Sequence, residues 1–209
     1  MTNAAGNVFL ITAPSGAGKS SLVNALLAQD PDLQLSVSCT TRAPRDGEIN
    51  GRDYHFVSEA EFLAMREQSN LLEWALVHGN YYGTPREPME KALESGQDIM
   101  LEIDWQGAAQ VRQLLPAVTG IFVLPPSLDA LESRLRTRAK DSDEVIASRM
   151  AAAASEIAHA HEFDYVIVNQ TFDEALAQLS HIVACARLRY PRQALTHAPL
   201  FNSLGLSGQ

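Results

Sequence analysis

The chain reads Ala13-Pro14-Ser15-Gly16-Ala17-Gly18-Lys19-Ser20 directly after the apolar run Val8-Phe9-Leu10-Ile11 and directly before a helical pattern that starts at Ser21. This strand, loop and helix context is the one required by the pattern G-x-x-x-x-G-K-[ST]. In such a loop, successive backbone N–H groups turn toward an anion, and the helix N-terminus adds positive potential. The stretch therefore predicts a phosphate-binding loop, in preference to an ordinary Gly/Ser turn.

The residues of this loop are expected to differ in backbone conformation and in the ligand group that each contacts. Ala13 replaces the first glycine of the pattern, so it must adopt a negative φ, whereas Gly16 and Gly18 keep the freedom to wrap an anion. Lys19 is expected to reach the terminal phosphates of the ligand, and the Ser20 hydroxyl is expected to ligate Mg²⁺.

Length and composition favour a single domain without a membrane span. The chain has 209 residues, of which 46% are hydrophobic, and no unbroken apolar run approaches twenty residues. The first seven residues carry no basic group, so a signal peptide is not expected and the cytoplasm is the expected location.

Charge and cysteine usage narrow the classes of ligand. The net charge of −9 disfavours nonspecific nucleic-acid binding, so an anionic ligand must be held by local basic clusters. Cys39 and Cys185 have no paired or metal-ligand spacing, and both are expected to be reduced thiols.

Apolar runs and helical patterns alternate after the loop. Short, nearly continuous apolar runs cover residues 99–103, 121–124 and 165–168, and helical patterns cover residues 108–115, 128–138, 143–161 and 172–190. Such runs suit a parallel sheet that is buried on both faces, and the alternation predicts an α/β doubly wound fold.

The pattern changes between Val37 and Gly96. Residues 54–57 and 71–77 favour strands, and the capping box Ser58-x-x-Glu61 predicts a helix between them, which indicates an inserted α+β lobe. The tail from Pro191 has little periodicity and is expected to be loose or partner-dependent.

Five separate signatures then converge on one family. Besides the phosphate loop, they are Ser38-Cys39-Thr40-Thr41-Arg42-Ala43-Pro44-Arg45-Asp46-Gly47-Glu48 with Gly51-Arg52-Asp53-Tyr54, Leu72-Glu73-Trp74-Ala75, Gly79-Asn80-Tyr81-Tyr82-Gly83-Thr84, and Leu101-Glu102-Ile103-Asp104-Trp105-Gln106-Gly107. In order and spacing they closely resemble the guanylate kinase family of nucleoside monophosphate kinases, from about Val8 to Tyr190.

The resemblance implies a P-loop kinase that transfers a phosphoryl group from ATP to GMP with Mg²⁺. It implies a core of about 1–37, 97–127 and 162–190, a GMP-binding lobe of about 38–96 and a helical lid of about 128–161, followed by the tail 191–209. ATP and GMP are the expected partners. A homo-oligomer is compatible with the resemblance, and neither nucleic acid nor a membrane is expected as a partner.

Guanine recognition gives the lobe a chemical rationale. Guanine presents N1–H and N2–H₂ as neighbouring donors, which a carboxylate can read and which adenine does not offer. Glu73 and Asp104 are the matching carboxylates, and by resemblance Ser38 and Thr84 supply hydroxyl contacts to the base. By the same resemblance the phosphate of GMP is held by Arg42, Arg45, Tyr54 and Tyr82, since arginine forks and phenols suit phosphate oxygens.

The basic cluster near residue 136 resembles the lid of these kinases. Arg134 and Arg138 lie four residues apart and share a helix face, so both can point at one anionic site. The resemblance gives the charge-spreading, catalytic role to Lys19, Arg42, Arg138 and Arg149. It assigns ATP contacts to Ala13, Pro14, Ser15, Gly16, Ala17, Gly18, Lys19, Ser20, Ser21, Arg134 and Asn169.

Three positions depart from the family pattern. Glu102 stands where aspartate is commoner, Ala139 replaces a frequent lid glycine, and Gln170 follows Asn169 where aspartate is frequent. These departures bear on magnesium geometry, lid motion and adenine contacts.

Two other function classes compete with the kinase hypothesis. The sequence Asp104-Trp105-Gln106-Gly107 also fits the D-x-x-G pattern of guanine-nucleotide switches, but no N-K-x-D guanine reader is present. A noncatalytic, guanylate-kinase-like interaction module is the second alternative, against which Gly18, Lys19 and Ser20 of the phosphate loop are retained.

Overall fold

The structure is a computed structural model, which describes residues 6–77, 79–138 and 142–206, with the backbone alone for Arg138. Within these residues the larger sheet has five strands, all of them parallel. In spatial order the strands are β2 (Leu33–Leu35), β7 (Asp98–Glu102), β1 (Val8–Thr12), β8 (Thr119–Leu124) and β9 (Tyr165–Val168). The predicted parallel sheet is confirmed, and its carboxyl ends form one edge, where ligands of such folds bind.

Helices cover both faces of this sheet. They are α1 (Lys19–Gln29) and α7 (Phe172–Arg187) on one face, and α3 (Arg86–Glu94) and α4 (Trp105–Leu114) on the other. Phe9 and Ile11 of β1 belong to the core of the first face, whereas Leu10 between them belongs to the core of the second. Because successive strand side chains point to opposite faces, one continuous apolar run fills both cores.

A smaller sheet forms the inserted lobe. Its strands, in spatial order, are β4 (His55–Phe56), β3 (Cys39–Thr40), β6 (Asn80–Pro85) and β5 (Leu71–Val77). Helix α2 (Glu59–Glu67) starts with the predicted capping box, since the Ser58 hydroxyl accepts from the Glu61 N–H at 3.2 Å and Glu61 Oε2 accepts from the Ser58 N–H at 2.7 Å. The sequence pattern did not predict β6, because its residues lack apolar alternation.

The lid segment is a helix pair with a small core of its own. Helices α5 (Leu128–Arg138) and α6 (Asp143–Ile157) pack through Leu131, Leu135 and Ile146. A 3₁₀ turn over Ala160–Glu162 connects α6 to β9. Ala139 lies outside the described residues.

The tail differs from the expectation of a loose segment. It forms two short helices, α8 (Tyr190–Thr196) and α9 (Ala198–Ser203), each with proline in its first turn, where the missing N–H is not needed. The Arg192 guanidinium donates to the Gly96 carbonyl at 3.0 Å, and the rings of Tyr190 and Phe201 pack 5.6 Å apart. The prediction is therefore wrong for 191–203, because short proline-started helices leave too little periodicity to detect.

No helix in the described part of the chain is long and apolar enough to cross a membrane. Cys39 and Cys185 are both free thiols, as expected. Burial raises the pKa of Cys39 to about 11, which makes this thiol unreactive at neutral pH.

Candidate functional site

The predicted phosphate loop lies between β1 and α1, at the carboxyl edge of the larger sheet. Gly16 and Gly18 have φ angles of 92° and 96°, in the left-handed region that favours glycine. A Cβ atom on Gly18 would lie 2.5 Å from Nδ2 of Asn169. Both glycines are therefore required by the loop, and helix α1 directs its N-terminus toward the space that the loop encloses.

Two residues expected to contact ATP, Asn169 and Arg134, hydrogen-bond to the backbone of the phosphate loop. The Asn169 side chain is buried and donates from Nδ2 to the Ala17 carbonyl at 2.7 Å. Arg134 donates from Nη1 to the same carbonyl at 3.4 Å and from Nη2 to the Asn169 carbonyl at 3.2 Å. These contacts fix the loop backbone, while direct contacts of Arg134 and Asn169 with ATP stay predictions.

Glu102 connects the end of β7 to the start of α1. Its Oε2 accepts from the Ser20 hydroxyl at 2.8 Å and lies 3.9 Å from Nζ of Lys19. Hydroxyl and carboxylate oxygens suit Mg²⁺, which commonly takes one or two protein ligands and completes its shell with phosphate oxygens and water. In the described residues, no group of three His, Cys, Asp or Glu side chains is arranged to hold a metal. The donor set therefore fits an ion that arrives with a nucleotide.

The predicted second phosphate site lies in the lobe around Arg42. Its guanidinium donates to both carboxylate oxygens of Glu48, at 2.9 and 3.0 Å, and its Cζ lies 5.5 Å from the centroid of the Tyr54 ring. The rings of Tyr54 and Tyr82 pack edge to face, with centroids 5.9 Å apart. The Arg42 guanidinium holds the pKa of Glu48 below its usual range. Arg42, Tyr54 and Tyr82 are thus brought together as predicted.

Glu102 at the end of β7 acts electrostatically on the lobe. Burial raises the pKa of the Tyr54 phenol, and the negative charge of Glu102 raises it further. Because Glu102 also accepts from the Ser20 hydroxyl, this one carboxylate acts on both predicted phosphate sites.

The predicted base-reading carboxylates meet beside helix α4. Glu73 is buried on β5, and its Oε1 accepts from the Thr84 hydroxyl at 2.6 Å. Asp104 is the N-cap of α4 and accepts from the Gly107 N–H at 2.8 Å. A Cβ atom on Gly107 would lie 2.5 Å from Glu73 Oε2 and 3.4 Å from Asp104 Oδ1. The glycine of the D-x-x-G pattern therefore leaves room for the Glu73 carboxylate.

The burial of Glu73 has an electrostatic consequence. Burial raises the pKa of Glu73 to about 7, the Thr84 hydrogen bond opposes this shift, and the nearby Asp104 charge adds to it. The alternative that Glu73 faces water on an exposed strand face is excluded, since 4% of the residue is exposed.

The remaining predicted residues, Ser38, Arg45, Arg138 and Arg149, lie in different parts of the fold. Ser38 is buried at the edge of the lobe, and the Arg45 side chain is exposed, although its backbone N–H donates to Glu48 at 2.7 Å. Arg149 lies on α6, and the side chain of Arg138 lies outside the described residues. Sequence reasoning missed the pairing role of Glu48, whose only signal is its position six residues after Arg42.

Comparisons with known proteins agree on one family. The family model for guanylate kinase matches residues 5–186. The guanylate kinase of Bordetella pertussis is 59% identical over 206 residues, which cover 99% of this chain and 96% of the relative, and that of Cupriavidus metallidurans is 56% identical over 201 residues, which cover 96% and 93%. The crystal structure of guanylate kinase from Anaplasma phagocytophilum has a TM-score of 0.80 at 32% identity, covering 99% of this chain and 98% of that one. These matches span both sheets and the lid helices.

Proposed function

The chain belongs to the guanylate kinase family, and from that membership we propose which of its residues carry out the transfer of a phosphoryl group from ATP to GMP. The enzyme is an ATP:GMP phosphotransferase that produces ADP and GDP. The switch and interaction-module alternatives are therefore set aside. The larger sheet supplies the donor site, and the inserted lobe of about 38–96 supplies the acceptor site.

At the donor site, the loop amides and Lys19 hold the phosphates of ATP. Lys19 reaches the terminal phosphoryl group, and Ser20 is the residue that would ligate Mg²⁺, with Glu102 orienting water around the ion. The ion, when bound, neutralises charge on the phosphate oxygens. The hydrogen bond between Ser20 and Glu102 supports this assignment.

At the acceptor site, Glu73 and Asp104 read the guanine edge, with Ser38 and Thr84 beside them. Arg42, Arg45, Tyr54 and Tyr82 hold the GMP phosphate. The observation that carries this assignment is the convergence of the two carboxylates on Gly107, in a pocket where Glu73 is almost completely buried. Among the described residues no cation is paired with the Glu73 carboxylate, whose Oε1 already accepts from Thr84, and guanine offers it two further hydrogen-bond donors.

The transfer itself requires positioning and charge more than proton chemistry. Phosphoryl transfer passes through a loose transition state whose charge is spread over the equatorial oxygens. Lys19, Arg42, Arg138 and Arg149 would share that charge, and closure of the lid of about 128–161 would exclude water that otherwise accepts the phosphoryl group. We place the enzyme in the cytoplasm. Self-association, and the lack of nucleic-acid or membrane partners, stay predictions.

The pH dependence of GMP binding tests the role of Glu73. Below pH 7 the Glu73 carboxyl becomes protonated and presents an O–H donor where guanine needs an acceptor. We expect the dissociation constant of GMP, measured by calorimetry between pH 5.5 and 8.5, to rise as the pH falls through about 7. The GMP phosphate itself titrates near pH 6 and also makes binding depend on pH. The Glu73→Gln variant lacks the titrating carboxyl, so its profile shows the effect of the phosphate alone. Parallel profiles for the two proteins would contradict the assignment.

Arg149 tests the role of the lid. We expect Arg149→Ala to lower turnover by about tenfold while the dissociation constant of GMP stays unchanged, since the lost charge-assisted contact is on the ATP side. The control is Arg136→Ala on α5, whose guanidinium is paired with Glu132 and Asp143 and should leave turnover unchanged. Loss of GMP binding in Arg149→Ala would assign this arginine to the acceptor site instead.

A further inference from the structure

In the part of the chain that the structure describes, helix α4 is hydrogen-bonded to the edge strand of the lobe, β5, through the side chain of Gln110. We propose that Gln110 is a positioning residue for guanine selection, which sets the separation of Glu73 and Asp104. The inference rests on the proposed role of Glu73 and adds a residue that does not touch the nucleotide.

The contact is a two-point amide clamp. Gln110 Oε1 accepts from the Trp74 backbone N–H at 3.2 Å, and Gln110 Nε2 donates to the Trp74 carbonyl at 2.8 Å. Strand β5 is the outer strand of its sheet, so these backbone groups point away from β6. The carboxamide thus occupies the place that another strand would take and prevents β5 from sliding along α4.

Both residues of the clamp are close in sequence to the base-reading carboxylates, one on β5 and the other on α4. Trp74 follows Glu73 directly on β5, and Gln110 lies three residues after Gly107, on the same face of α4. Asp104 caps the same helix. One rigid helix therefore carries Asp104, accommodates the Glu73 carboxylate at Gly107 and holds the Glu73 backbone through its neighbour Trp74.

This geometry makes the clamp relevant to selectivity. Guanine donors N1–H and N2–H₂ have a fixed spacing, so a carboxylate discriminates against adenine only when its oxygens are held in register with them. Besides its ladder with β6, β5 accepts a hydrogen bond from α3, from Arg86 Nη2 to the Leu71 carbonyl at 3.5 Å, two residues before Glu73. The clamp is the hydrogen-bonded link to α4 at Trp74, the residue next to Glu73. Loss of the clamp should therefore loosen guanine recognition before it weakens the phosphate sites.

The test measures kcat/KM for GMP and AMP in Gln110→Ala and Gln110→Glu. The glutamate can still accept from the Trp74 N–H but cannot donate to the Trp74 carbonyl. In both variants we expect the KM for GMP to rise roughly two- to tenfold, as for the loss of one or two hydrogen bonds, and the GMP/AMP ratio to fall accordingly. The KM for ATP should not change. Gln113→Ala, an exposed glutamine on the same helix, is the matched control.

A double variant separates this inference from the assignment on which it depends. If Gln110 acts through Glu73, adding Gln110→Ala to Glu73→Gln should not lower the GMP/AMP ratio further. If the GMP/AMP ratio falls in Glu73→Gln but not in Gln110→Ala, the proposed role of Gln110 is wrong and the Glu73 assignment stands. A ratio unchanged in Glu73→Gln would refute the Glu73 assignment itself, and an additive double variant would overturn the link between the two residues. A change in melting temperature alone, with no shift in the ratio, would reduce Gln110 to a structural role.

Discussion

Lys19→Ala should lower turnover on the order of 10²-fold or more, the largest effect expected for a single side chain of this enzyme. Lys19 is the first residue of helix α1, directly after the phosphate loop, and its ammonium nitrogen lies 3.9 Å from Glu102 Oε2. The charge interacts more strongly with the transferring phosphoryl group than with bound ATP, so kcat should fall far more than ATP affinity. Steady-state kinetics and ATP calorimetry on the same preparation separate the two quantities.

The chain offers a matched lysine for this experiment. Lys91 is exposed on α3 and paired with Glu87, and its replacement by alanine should leave turnover unchanged. If Lys19→Ala turns over GMP nearly as fast as the parent protein, the proposed role of Lys19 in the transition state is wrong.

Glu73→Gln should reduce kcat/KM for GMP by roughly 10- to 150-fold, which corresponds to about 1.5–3 kcal/mol for a hydrogen bond to a charged group. Thr84 can still donate to the carboxamide oxygen, as it now does to Oε1 at 2.6 Å. The other position then carries an NH₂ group, which faces guanine donors with further donors. AMP should gain relative to GMP, because its N1 acceptor and N6–H₂ donor complement an amide.

Binding of ATP is the internal control for this substitution, since ATP occupies the other site. Glu67→Gln, exposed at the end of α2 in the same lobe, controls for the loss of one negative charge. An unchanged GMP/AMP ratio would show that Glu73 does not read the base, and Asp104 would become the remaining candidate.

Much of the fold follows from short-range patterns in the sequence. Apolar runs predicted the strands β7, β8 and β9 to within two residues. The reason is burial on both faces for β7 and β8, whereas β9 lies at the sheet edge and buries Ile167 alone. The capping box at Ser58 and the loop glycines were also readable, since each is a local device with a fixed spacing. Recognition of the family then supplied the candidate site residues.

The contacts missed from the sequence are those that join distant segments without a motif. Gln110 and Trp74 are 36 residues apart, and a surface glutamine that bonds to a strand edge leaves no pattern in either segment. The burial of Glu73 was equally hidden, because strand alternation alone allows its side chain to face water or the core. Its burial and raised pKa became apparent only once α4 was packed against β5.

Under the proposed function, Glu48 competes with the phosphate of GMP for the Arg42 guanidinium. Without GMP, the Arg42 guanidinium donates to both carboxylate oxygens of Glu48. Because Glu48 belongs to the same chain, its effective concentration at Arg42 is higher than that of a free anion in solution. Inorganic phosphate would have to displace that carboxylate through its own contacts with the phosphate-binding residues alone. A nucleotide also brings a base, whose binding energy at Glu73 and Asp104 offsets the displacement. The lobe can therefore remain largely free of phosphate ions in a phosphate-rich solution and still accept GMP.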